Sequence, residues 1–247
     1  MGQPTPSPVI PESLAYDQSP EALIIEIDTY GGLMPTPLSR HVPDLRIYGA
    51  GLVVRAEEGE SSSRGLDRSV MTGHLSGEEL DQLVSFIAGQ GFFQLDDTYM
   101  PSPAPTDLPS RHIVVNLLDA SKTVSIYPSD FADAPEAFWN IYNELMAVAP
   151  SDEEAFIATS GTMTAIELGP IDELPSGLRN QVAPWDTPLV GIALPEATEG
   201  VYLEGEEYQV IDEFLLRYPP HQVFGSQEGG AYQVRLEAQL PWGATSP

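Results

Sequence analysis

The stretch from Gly91 to Tyr127, GFFQLDDTYMPSPAPTDLPSRHIVVNLLDASKTVSIY, constrains the chain more than any other. It runs from a glycine helix stop through an acidic turn and a proline-rich crossing into two alternating segments. Arg111 to Leu117 sets Ile113, Val115 and Leu117 on one side, Asp119-Ala120-Ser121 turns, and Thr123 to Tyr127 returns. That alternation about a short polar turn is the signature of a β-hairpin. Phe92, Phe93 and Leu95, just before it, read as core anchors rather than a cofactor box.

The flanking segments supply partners for this hairpin. Upstream, Leu23, Ile25 and Ile27 alternate with Glu26 and Asp28, a strand, and a Pro-rich loop follows through Pro43. Leu45 to Tyr48 and Leu52 to Arg55 flank Gly49-Ala50-Gly51 as a second hairpin, and Arg68 to Thr72 returns as a further strand after a Ser-rich tip. Ser76-Gly77-Glu78-Glu79 is a capping box opening a helix with Leu80, Leu83, Val84 and Ile87 on one stripe. Downstream, Asp133-Ala134-Pro135-Glu136 predicts a second helix start, with acid at the cap and Pro in the first turn, followed by the stripe Phe138, Ile141, Tyr142, Leu145 and Val148.

Beyond Pro150 the pattern begins again. Ala155 to Leu168 predicts one long strand bent near Gly161, and Gly169 to Trp185 reads as irregular. Val201 to Leu203 predicts a strand leading into a helix that carries Val210, Phe214 and Leu215. Gln222 to Gly225 and Tyr232 to Leu240 flank the Gly229-Gly230 turn as a last hairpin. The chain therefore divides into a tether over residues 1–20, an α+β domain over 21–150 in the order ββββαββα, and a smaller acidic α+β domain over 151–247. The expected class is α+β, with antiparallel sheets and, in the N-terminal domain, two helices packed on one face.

Charge removes several function classes. Of 247 residues, 37 are acidic and 10 basic, a formal net charge of -27, which repels phosphate backbones and anionic membranes and excludes nucleic acid as a partner. A partner, if charged, is basic. Lys122 is the single lysine, and the remaining bases are arginines, suited to fixed carboxylate pairs. The absence of cysteine removes disulfides, thiolate metal sites and cysteine nucleophiles.

No apolar run approaches the roughly 18 residues of a membrane span, so the chain as written reads as soluble. The run Met1-Gly2-Gln3-Pro4-Thr5-Pro6-Ser7-Pro8 is a polar tether of the polyproline kind, which usually leads away from an anchor. It is expected to follow a removed signal peptide and lipid-bearing cysteine, giving an extracellular or cell-surface location.

With Gly91-Phe92-Phe93, Leu95-Asp96-Asp97-Thr98-Tyr99 and Thr106-Asp107-Leu108-Pro109 ahead of the Ile113 to Tyr127 hairpin, the chain resembles a group of bacterial secreted or lipoprotein domains of uncharacterised function. The likeness covers Glu21 to Ala149; Trp185-Asp186-Thr187-Pro188 and Tyr232 to Pro241 are similar to the C-terminal part of longer members. Gly49-Ala50-Gly51 departs from the acidic-Gly turn commoner in that group. The resemblance implies fold and export and carries no activity.

Asp96, Asp97 and Asp107 are the sharpest site candidates, because the loop joining them can present several carboxylates, hard oxygen ligands suited to Ca²⁺, the one cofactor the residues suggest. The spacing is not that of an EF-hand. The competing reading is structural: Asp96 and Asp97 serve the turn after the helix, and Asp107 caps backbone ahead of Pro109. His41, His74, His112 and His221 are widely separated, no zinc-type His pair occurs, and His112 is expected to face solvent. No Gly-x-Ser-x-Gly elbow and no Gly-rich phosphate loop is present. The expected function is a non-catalytic exported binding or envelope-structural module, with a protein or cell-envelope partner. A Ca²⁺-dependent binding protein and a hydrolase with an unrecognised carboxylate site are the alternatives.

Overall fold

In the computed structural model, residues 11–32, 39–57, 59, 61, 63–185 and 191–241 are described. Met1 to Pro8, the first part of the Pro-rich loop and Asp186 to Pro188 lie outside the described residues. The chain forms two compact units that interleave in sequence. The first comprises the described parts of Met1–Pro35, Pro43–Glu57 and Val70–Ala155; the second, those of Thr36–Val42, Glu58–Ser69 and Phe156–Pro247. Both combine helices with a sheet, giving an α+β chain with two sheets.

The first unit contains strands β1 (Leu23–Gly31), β2 (Leu45–Tyr48), β3 (Leu52–Ala56) and β4 (Val70–His74), then helix α1 (Gly77–Gly89). Strands β5 (Thr98–Tyr99), β6 (Pro109–Asn116) and β7 (Ser121–Ile126) follow, then helix α2 (Glu136–Met146) and β8 (Glu154–Ala155). The strand order is β5-β7-β6-β1-β2-β3-β4-β8, antiparallel except for the parallel pair β5 and β7.

Register explains how one face becomes core. Ile25 lies opposite both Ile47 and Val115, and Ile27 opposite both Leu45 and Ile113, so β-branched and leucine side chains from three strands align. Because strand side chains alternate with period two, this register puts every one of them on the same side. Leu80, Val84 and Ile87 of α1 and Phe138, Ile141 and Leu145 of α2 join the same buried cluster, so both helices cover that face. Each of these side chains contributes roughly 1.5–3 kcal/mol through burial.

The capping box forms as written: Ser76 Oγ accepts the Glu79 N–H at 3.2 Å, and Glu79 Oε2 accepts the Ser76 N–H at 2.7 Å. In the β2–β3 turn, a Cβ on Gly49 would collide with the Asp17 carbonyl, and one on Gly51, at φ +88°, with that of Leu75. Close backbone approach from two sides thus accounts for two glycines there.

Two readings of this unit change. Helix α2 begins at Glu136 with Pro135 at the cap position and no side-chain cap, rather than with Asp133. Ala134 is buried and its N–H bonds to the Phe131 carbonyl at 3.2 Å, which keeps residues 131–134 in a preceding turn. The block expected as a tether is packed from Glu12 onward. The amides of Glu12 and Ser13 bond to Asp119 Oδ2, and Tyr16 is buried with its hydroxyl donating to Asp81 at 2.8 Å.

The second unit contains β9 (Ser160–Pro170), a short helix α3 (Ser176–Arg179), β10 (Ala183–Pro184), β11 (Val201–Glu204), α4 (Glu206–Leu216), β12 (Val223–Gly225) and β13 (Gly230–Ala238). The order is β10-β12-β13-β9-β11. The single strand expected from Ala155 to Leu168 is in fact two: β8 closes an edge of the first sheet and β9 starts the second. The stretch expected to be irregular carries α3 and β10. Helix α4 buries Tyr208, Ile211, Phe214 and Leu215, with Val210 only half-buried, because the stripe is set from Tyr208 at helical spacing.

The Ser-rich tip also builds this unit. Asp212 Oδ1 accepts from the Ser63 hydroxyl at 3.1 Å and from the amides of Arg64 and Gly65 at 2.6 and 3.2 Å, and the Gly65 carbonyl accepts the Ala238 N–H at 2.9 Å. Burial pushes the Asp212 carboxyl up from its ordinary value, against these donors, which hold it down.

Candidate functional site

The three aspartates singled out from the sequence have separate local roles. Asp97 Oδ1 receives the ammonium of Lys122 at 2.7 Å, and the Asp97 carbonyl accepts the Ser125 N–H. The Asp96 amide donates to the Tyr99 hydroxyl at 2.8 Å. Asp107 adopts φ 63°, a left-handed conformation that aspartate tolerates better than most residues. Its loop is fastened by Tyr127, whose hydroxyl accepts the Leu108 N–H at 3.3 Å and donates to the Pro105 carbonyl at 2.8 Å. Among the described residues, no group of three or more His, Asp or Glu is placed to hold a metal ion.

His112 does not face solvent as its sequence setting suggests. On β6 it lies opposite Asp28 of β1 and Ser125 of β7. Its Nδ1 is 2.7 Å from Ser125 Oγ, and its ring stacks on Tyr30 with centroids 4.2 Å apart and planes 12° apart. Burial pushes the imidazole below its ordinary value, while Asp28 and Glu26 pull the other way. Nε2 is shielded and meets no hydrogen-bond partner among the described residues. A histidine beside a serine hydroxyl is the start of a nucleophilic pair, and a general base there is ordinarily oriented by an acceptor on the second ring nitrogen.

The second unit holds a cleft that sequence reasoning missed. Trp185 follows β10 and is fixed on two sides: its backbone N–H bonds to the Gly225 carbonyl at 3.3 Å and its indole N–H to that of Ile192 at 2.9 Å. Its ring meets Phe214 and Phe224 edge-on, with centroids 5.2 and 5.4 Å away. A 3-10 turn at Leu194–Ala197 packs Leu194 inward, leaving Ala193 and Pro195 beside it. Opposite, the β12–β13 turn is stiffened by bonds between Ser226 and Gly230, the Gly230 N–H reaching Ser226 Oγ at 3.1 Å.

Between these walls is a cavity of about 370 Å³, lined by Trp185, Ala193, Leu194, Pro195, Gln227 and Glu228 among others. That size falls within the range of small-ligand sites, which are mostly apolar with a few placed polar groups. Among the described residues, Glu228 is the one ionisable residue in its lining. The available signal was a lone tryptophan between two Pro-bearing segments, and it becomes legible only when the Gly229-Gly230 turn is brought opposite. No protein-family model, no curated protein and no solved structure matches the chain.

Proposed function

We propose that the chain is a non-catalytic binding module whose ligand occupies the Trp185 cleft. One observation carries this reading: an apolar cavity of about 370 Å³ with a rigid aromatic wall and a polar rim on a tight turn. A rigid wall favours binding because little conformational entropy is lost when a ligand settles. The exported, cell-surface setting implied by the Pro/Thr/Ser composition of residues 1–8 and by the family resemblance belongs to the same proposal. Among the described residues, no helix is long and apolar enough to cross a membrane.

The test is a fragment screen by saturation-transfer NMR on the full chain and on Ala193→Trp, which fills the cleft. Fragment signals are expected from the parent chain and should vanish in the filled variant. An empty screen, or signals that persist in Ala193→Trp, would overturn the proposal.

A further inference from the structure

The cleft's chemistry restricts what can enter it, given that it is the ligand site proposed above. Three features bear on charge. Glu228 stands at the rim and, among the described residues, is the sole ionisable one in the lining, with no arginine, lysine or histidine beside it there. A second carboxylate lies near the same turn, since Glu167 of β9 pairs with Tyr232, two residues past Gly230 on β13. The chain as a whole carries a net charge of -27, and residues 151–247 contain only three basic residues, Arg179, Arg217 and Arg235. A negative field over a low-dielectric cleft concentrates cations and excludes anions.

Shape adds the other half. Leu194, Pro195, Ala193 and Trp185 form an apolar floor that rewards an apolar body, at roughly 25 cal/mol per Å² removed from water. The volume suits a molecule of side-chain size and is too small for a folded element.

We infer that the Trp185 cleft selects organic cations: a primary ammonium or guanidinium on a compact apolar body, with the body on the Trp185–Leu194 floor and the charge at Glu228. Glu228 is exposed, so the charge contributes selectivity more than bulk affinity. A cation should bind roughly 1.5- to fivefold tighter than a neutral molecule of the same shape at low ionic strength. The margin should shrink as salt screens it.

Two probes isolate the charge: 2-phenylethylammonium and its neutral counterpart 2-phenylethanol, titrated calorimetrically into the full chain, Glu228→Gln and Ala193→Trp. The expected result is tighter binding of the amine to the parent chain, a margin that closes in Glu228→Gln, and alcohol binding that does not change there. Equal binding of both probes, or a margin that survives Glu228→Gln, overturns the inference. If in that case both probes are still lost in Ala193→Trp, the cleft remains the ligand site. No binding of either probe, or binding that survives Ala193→Trp, overturns the cleft and the inference together.

Discussion

His112 shows how much a single residue's setting depends on partners distant in sequence. Its neighbour in the chain is Arg111, and strand alternation alone puts it on the side opposite Ile113. What makes it half-buried is the stack with Tyr30 of β1 and the Ser125 hydroxyl of β7. With its protonation depressed in the native state, the sign is fixed: the stabilising contribution is present above the unfolded value of about 6.5 and is lost as pH falls through the lower native one. Urea midpoints measured near pH 8 and near pH 5 should therefore fall further for the parent chain than for His112→Phe, which keeps a ring against Tyr30 but cannot ionise. The other three histidines are common to both chains and cancel. Equal falls would show that His112 is not desolvated.

Elements declare themselves in sequence when the signal is local. The Ser76 capping box and the β2–β3 and β6–β7 hairpins were all legible, because a cap or a turn is decided within a few residues. The start of α2 was not, because burial of Ala134 in the core decides that Pro135, and not Asp133, sits at the cap. The two helices should respond differently to cap removal. Ser76→Ala should cost about 1 kcal/mol in chemical denaturation, whereas Asp133→Ala should stay within about 0.5 kcal/mol. A comparable loss for Asp133→Ala would restore it as a cap. The division of Ala155 to Leu168 between two sheets was also hidden. That stretch carries no proline and no charge before Glu167 to mark a break, and only the pairings of Ala155 with Met71 and of Gly161 with Ala238 separate it.

At the scale of the whole molecule the charge was plain and the cleft was not. A cleft is made by residues far apart in sequence, here Trp185, Gly191 and Ala193 to Pro195 against Ser226 to Glu228, and no local pattern announces it. Self-repulsion at -27 should make the melting temperature rise with sodium chloride, by several degrees between about 20 mM and 0.5 M salt. Because Asp97 is already held by Lys122 and Asp107 lies on a separate loop, millimolar calcium should add no more than its ionic strength does. A saturable calcium shift lost in Asp97→Asn would instead support the calcium-binding alternative.

The most direct test of cleft binding is an NMR titration of the isotopically labelled full chain with 2-phenylethylammonium, following the indole N–H of Trp185 beside the backbone amides. The expected perturbations centre on that indole and on Leu194, Gln227 and Glu228. Saturable changes confined to other regions, such as the Tyr30–His112 stack, or no saturable change at all, would contradict a ligand site in the Trp185 cleft.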